Sequence, residues 1–158
     1  MTRIATSASA RTGAGAAAAG SGARRTASAV LTLQAGDSIP GNVMPFQGLA
    51  FYLVNQDPAA ALAKNGFAGP SPIQAWLQAC RTSRDRCQAG AKAMSAGAVA
   101  AGQTNAAGAA VMPPVPPGHY YVFGHVPYHG RELIWHRSVE LQPGPNGDFL
   151  DQTNGTVG

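Results

Sequence analysis

The sequence predicts a mainly β protein: an antiparallel sandwich with a helical insertion at about 58–98, set between strands. Three observations carry this. Short runs alternating between two faces recur at 30–38, 119–126 and 132–141, with Gly, Pro and Asn turn signals between them. The segment 57–98 switches to helical start signals and helical spacing. The stretch "VPPGHYYVFG" (115–124) sets two prolines and a glycine directly before an aromatic, β-branched run.

The first strand is "VLTLQAGDS" (30–38), with Leu31 and Leu33 on one face and Val30, Thr32 and Gln34 on the other. "FQGLAFYLVN" (46–55) is apolar nearly throughout and reads as a central strand buried on both faces. Asp57-Pro58 and Ser71-Pro72 each pair an N-cap with a proline at the first helical position. Asn65-Gly66 ends the first helix. The second runs on without proline, and Ile73, Cys80, Cys87 and Met94 recur every seven residues beside Trp76, Leu77 and Ala91. That stripe predicts one amphipathic helix, weakened near Gly90, docked on the sandwich through Ile73, Trp76 and Leu77. On a continuous helix the two cysteines lie about 10.5 Å apart. Heptad spacing therefore favours packed free thiols; the alternative is that "CRTSRDRC" is a loop closed by a disulfide.

From 109 the chain reads as β again. Tyr120, Val122 and Gly124 oppose His119, Tyr121 and Phe123; Leu133, Trp135, Val139 and Leu141 oppose Ile134, His136, Ser138 and Glu140. Pro116 and Pro117 hold an extended approach and Gly118 supplies a positive φ. Tyr120 then enters its strand ring-inward, with its hydroxyl directed to the backbone just upstream. Gly118, Tyr120, Trp76 and Trp135 are the expected structural residues.

These residues carry a resemblance. Thr104, Asn105, Gly108, Val115, Pro116, Pro117, Gly118 and Tyr120 resemble a motif of the transthyretin-like (prealbumin-like) sandwiches, found in carboxypeptidase regulatory-like domains and collagen-adhesin B-type repeats. "LAFYLVNQD" (49–57) and "VELQPGPNGDFLD" (139–151) are similar to the family's early and closing strands. The resemblance covers about 30–57 and 99–152, and the helical segment departs from it. It implies a sandwich of about seven strands and a secreted or cell-envelope setting. It implies no single activity. Some adhesin repeats join a lysine to an asparagine, but the only lysines here, Lys64 and Lys92, lie in the helical insertion.

Charged residues make up 11% of the chain, against roughly 25% in an ordinary soluble domain. The net charge of +4 is unevenly placed. Arg3, Arg11, Arg24 and Arg25 stand without an acid in 1–29, and Lys64, Arg81, Arg84, Arg86 and Lys92 face only Asp85 in the insertion. The rest is acidic. No basic face with interleaved aromatics is present, which argues against nucleic acid as a partner. No apolar run is long enough for a transmembrane helix. Residues 1–29 read as a disordered Ala/Gly/Ser/Arg-rich tail, with a transit peptide as the alternative; residues 30–152 read as one domain, and 153–158 as a C-terminal tail.

Four histidines (His119, His125, His129, His136) and three tyrosines fall within 119–136. A transition metal could use such ligands, with His125, His129 and His136 the candidates, but the His-x-His pair of the iron-binding intradiol dioxygenases is missing. The C-terminal Tyr-Arg-Gly-Ser of the hydroxyisourate hydrolases is missing too, as are GxSxG and Walker motifs. No catalytic residue, metal or cofactor is therefore expected. The expectation is a non-enzymatic accessory, structural or binding module with an unknown protein or glycan partner. A metal-dependent enzyme built on the His/Tyr cluster is one alternative. An envelope carbohydrate- or protein-binding domain is another. Candidate binding residues are the outward aromatics Tyr121 and Phe123, with Ile134 beside them, and the basic Arg81, Arg84 and Arg86.

Overall fold

The computed structural model describes residues 27–158. The expected disordered tail falls almost wholly outside the described residues, and its boundary moves, because Ala29 already belongs to a strand. The elements are β1 Ala29–Ile39, β2 Asn42–Pro45, β3 Ala50–Val54, α1 Pro58–Lys64, α2 Pro72–Thr82, α3 Arg84–Ser95, β4 Ala100–Gln103, β5 Ala109–Val111, β6 Gly118–Tyr128, β7 Arg131–Leu141, β8 Gly144–Leu150 and β9 Thr156–Val157.

One sheet has the strand order β9-β7-β6-β3-β4. The other runs β8-β1-β2, with β5 also paired to β1. Most pairs are antiparallel, as alternation predicts, but β8 lies parallel to β1 from Gly144–Ala29 to Leu150–Ala35. β8 follows β7 after two residues but joins the other sheet, where it lies beside the first strand. The expected C-terminal tail is also corrected. Thr156 and Val157 pair with Ile134 and Leu133 and form the edge of the five-stranded sheet.

The sandwich core follows from period-2 burial. Ala29, Leu31, Leu33 and Ala35 of β1 meet Phe51, Leu53, Val122, Leu133 and Trp135 from the facing sheet. Trp135 is buried with its indole N–H donating to the Asp151 carbonyl at 2.9 Å. At the mouth of β6, Gly118 takes φ 150° and Tyr120 turns inward, its hydroxyl donating to the Pro116 carbonyl at 2.5 Å. The Thr104-Asn105 loop is held by side-chain bonds. Thr104 Oγ1 donates to the Phe46 carbonyl at 2.6 Å, and Asn105 Oδ1 accepts from the Ala107 and Ala109 amides at 2.9 and 3.0 Å.

A second core lies on the opposite side of the five-stranded sheet. Leu62, Phe67, Ile73, Trp76, Leu77 and Met94 of the helical segment bury against Phe123 and Ile134. The helices begin where the cap signals place them: Asp57 accepts from Ala59 N at 2.9 Å and Ser71 from Gln74 N at 3.2 Å. The single long helix does not form. Ser83 is extended (φ −148°, ψ 110°), ends α2, and caps α3 by accepting from Arg86 N at 3.2 Å. The chain folds back there and brings the Cα atoms of Cys80 and Cys87 to 4.4 Å, joined as a disulfide. Free thiols are thus corrected to a bridge, because a capping serine halves the heptad. Gly90 is the place where α3 meets Trp76; a Cβ there would run into the indole ring.

Candidate functional site

The break at Ser83 turns the helical segment into a corner, and the corner overhangs the β6–β7 ribbon. Between them lies a cleft of about 640 Å³. Its upper wall carries the disulfide, Arg81, Arg84 and Gln88, and its floor is His125 and Glu132. A smaller extension of about 390 Å³ runs from Arg81 and Cys80 to Arg131 at the ribbon's tip.

The floor is rigid for identifiable reasons. His125 and Ile134 are cross-strand partners, which sets the imidazole beside the second core. Its Nδ1 lies 2.5 Å from Glu132 Oε2. The ring meets Trp76 edge-on at 5.3 Å and stacks over Phe123 at 5.8 Å. Trp76 in turn donates its indole N–H to the Cys87 carbonyl at 2.8 Å. Sheet, indole and disulfide corner are thereby coupled. Arg81 and Arg84 are exposed at the mouth, and with Arg131 they outnumber Glu132. The cleft can therefore take an anionic group, with arginine forks offering paired donors.

The remaining candidates separate. Arg86 is exposed on α3 with its guanidinium 4.5 Å over the Phe67 ring, away from the cleft lining. Phe123, expected as an outward binding aromatic, is 1% exposed beneath the helices, and Ile134 is buried with it. Alternation places both on the outer face correctly, but that face is covered. Tyr121 is half-buried, with its ring edge-on to His119 at 5.0 Å.

The histidines do not converge. His129 sits at the β6–β7 turn with φ 51°, its Nε2 4.0 Å from Asp37 Oδ2. His136 lies on the outer face; burial lowers its pKa below the ordinary histidine value, and the charge of Asp57 opposes that shift. His119 is at the far end of the ribbon beside Glu140. Among the described residues no three His, Cys, Asp or Glu side chains gather as a metal-binding group.

Two other groups are shifted. Tyr128 is held above its usual pKa by its hydrogen bond to Asp37 at 2.9 Å. Burial works to raise the Asp151 pKa, but hydroxyls of Thr153 and Ser38 and amides of Thr153 and Asn154 outweigh it and leave the carboxyl below its usual value. Both are structural ties at one end of the sandwich. Sequence reasoning found Arg81 and Arg84 but missed His125–Glu132 as their partner surface. The signal that could have found it is the Ser83 cap, which moves the arginines from a helix flank to a corner.

No family model matches the chain, and no curated protein matches it either. Among solved structures, the minor pilin of Streptococcus agalactiae is similar with a TM-score of 0.41 and 12% identity, over 79% of this chain and 44% of that one. A protein from Pseudomonas aeruginosa described as carbohydrate-binding aligns with a TM-score of 0.41 and 12% identity, over 79% of this chain and 88% of that one. The pilus backbone of Streptococcus pneumoniae aligns at 0.38 and 13%, over 73% and 34%. The chain spans less than half the length of either pilus protein.

Proposed function

We propose that the chain is an accessory binding module of the transthyretin-like, carboxypeptidase regulatory-like type. Its main work is recognition of an anionic group on a protein or glycan partner, in a secreted or cell-envelope setting. The observation that carries this is the basic cleft beneath the disulfide corner. Its floor is immobilised by Trp76, Phe123 and the His125–Glu132 pair, while its mouth presents Arg81 and Arg84. A rigid polar floor with charged donors at the rim is how a site binds without large ordering cost. The disulfide supports an oxidising compartment, since such bridges persist there and are rare in the cytosol. The Gly118–Tyr120 corner and the Thr104-Asn105 loop support the family assignment, because Thr104, Asn105 and Tyr120 of the motif each make a bond that fixes the local turn.

The test is binding of the full chain to acidic oligosaccharides (uronate or sulfate-bearing), acidic peptides and their neutral counterparts. Acidic ligands are expected to bind, with affinity that falls as salt rises. Arg81→Gln with Arg84→Gln should weaken binding by about tenfold or more, roughly one charge-assisted contact. Equal binding of neutral ligands, or a double variant that binds as well as wild type, overturns the reading.

A further inference from the structure

At the opposite end of the β6–β7 ribbon from the cleft, three side chains form an ordered relay. Ser138 Oγ lies 3.3 Å from His119 Nε2, and His119 Nδ1 lies 3.1 Å from Glu140 Oε1. The strand register produces it. His119 is directly opposite Glu140, and Ser138 stands two residues before Glu140 on the same face, so the imidazole lies between hydroxyl and carboxylate. The edge-on contact with Tyr121 at 5.0 Å holds the ring on its free side. One tautomer satisfies both contacts: Nδ1–H donates to Glu140, and Nε2 accepts from the Ser138 hydroxyl. That is the arrangement in which a histidine acts as general base toward a serine and a carboxylate fixes the tautomer.

The backbone adds a donor. Glu132 exchanges hydrogen bonds with Gly158 at 3.3 and 3.1 Å, so its amide and carbonyl point away from β6. The β6–β7 register runs without a bulge from Arg131–Tyr128 to Leu141–Gly118. Alternation then turns the Ser138 amide the same way. The neighbouring strand β9 pairs only with Leu133 and Ile134, so this amide lies on the uncovered length of the edge. Ser138 is exposed, and so are His119 and Glu140 at 48% and 65%.

We infer that Ser138, His119 and Glu140 form an acyl-transfer site in which Ser138 is the nucleophile. The substrate class is small activated acyl esters, because the relay stands exposed on a strand face, where a small reactive ester reaches Ser138 directly. Ser138 Oγ attacks the acyl carbon, and the Oγ–C bond forms as the C–O bond to the leaving group breaks. The hydroxyl proton passes to His119 Nε2 and from there to the leaving alkoxide or phenoxide. Water then attacks the acyl-serine, His119 takes its proton and returns it to Ser138 Oγ, and a carboxylic acid leaves. Glu140 is a positioning residue, and the Ser138 amide, on the open length of the edge, is the backbone donor available to the oxygen on which charge develops. This chemistry is independent of the cleft. His119 and His125 are six steps apart along β6, about 20 Å at strand rise.

The test uses the full chain with p-nitrophenyl acetate, and a fluorophosphonate probe with the labelled peptide identified by mass spectrometry. Wild type should carry acetyl or phosphonate on the peptide containing Ser138. Ser138→Ala should lower the ester hydrolysis rate by about 10²-fold. His119→Gln should abolish labelling, and Glu140→Gln should reduce the rate with labelling still at Ser138. All three positions are at the surface, so unchanged melting temperatures will separate chemistry from folding. A Ser138→Ala rate equal to wild type, which would mean that a bare surface imidazole does the work, overturns the assignment. So does a probe that never marks Ser138.

Discussion

The two outer faces of the sandwich are made from similar strands and end differently. On the five-stranded sheet, Phe123 and Ile134 are sealed under three helices. On the four-stranded sheet, Val111 is 65% exposed, Phe149 39%, and Thr32 between them faces solvent. The difference is written in the strands. β1 alternates strictly, Leu31 and Leu33 inward against Thr32 and Gln34 outward, the pattern of a sheet with one wet face. β6 and β7 carry large apolar residues on both faces: Val122 against Phe123, and Trp135 against Ile134. Such strands need a second layer. The insertion supplies it and, by folding back at Ser83, creates the cleft. The helical segment is thus a second core that shares a sheet with the first.

The comparison can be broken most severely at Trp76. Its ring is fully buried, touches His125, and donates to Cys87. Trp76→Ala should cost about 3–5 kcal/mol in denaturant unfolding. A silent substitution would mean that the helices do not depend on the sheet for their stability, and the covered face would lose its explanation.

The next effect is the disulfide. Cys80→Ser with Cys87→Ser opens a short loop and should cost about 2–3 kcal/mol, the chain-entropy value for so small a ring. Binding of an acidic ligand should weaken with it, since Arg81 and Arg84 are held by that corner. Unchanged stability together with unchanged binding would show that the Ser83 cap alone makes the turn.

How much of this was legible in the sequence depends on the range of the interaction. Alternation is local, so the inward and outward faces of β1, β6 and β7 could be read directly. The proline-preceded caps at Asp57 and Ser71 are local too. The Ser83 break was hidden because Ile73, Cys80, Cys87 and Met94 fall on a heptad, and a fold-back places Ile73 and Met94 in the same core as one helix would. The parallel pairing of β8 and the cover over Phe123 are long-range facts with no local signal. The cleft joins residues about forty positions apart. The Ser138–His119–Glu140 relay was within reach. The turn at His129-Gly130 fixes the β6–β7 register and sets 119 opposite 140, but it requires committing to that turn first.

Tyr120 offers a smaller effect on the first core. Tyr120→Phe leaves the Pro116 carbonyl without its donor and should cost about 1 kcal/mol, read as a shift in denaturant midpoint at constant slope. No shift would mean that water replaces the hydroxyl and that the Gly118 turn is held by the prolines alone.

Acid titration distinguishes the covered face from the seam of the sandwich. His136 lies on the covered face with a lowered pKa, so the unfolded chain takes its proton first, near the ordinary value of 6.5. Its contribution is complete above that value and is lost as pH falls through the folded pKa below it. Asp151 sits at the seam, also lowered, and its contribution is complete above the ordinary value of 3.8 and is lost as pH falls further. Two separate declines are expected in stability against pH. His136→Gln should flatten the upper one and Asp151→Asn the lower. A profile in which neither variant changes its own window would contradict the assigned causes.

The smallest effect belongs to the bare face and is the control for the rest. Val111→Thr removes apolar surface that largely meets water, Phe149→Thr surface that meets it in part, and threonine keeps a high strand propensity at both positions. Each should leave unfolding free energy within about 0.5 kcal/mol of wild type, as solvent-facing changes do. Val122→Thr, on the inner face directly behind the covered one, puts a hydroxyl into the first core and should be far more costly. If Val111→Thr or Phe149→Thr instead destabilises the chain by more than 1 kcal/mol, that face is packed against something in solution. The two faces would then differ only in what covers them, and concentration-dependent melting would show whether the cover is a second copy.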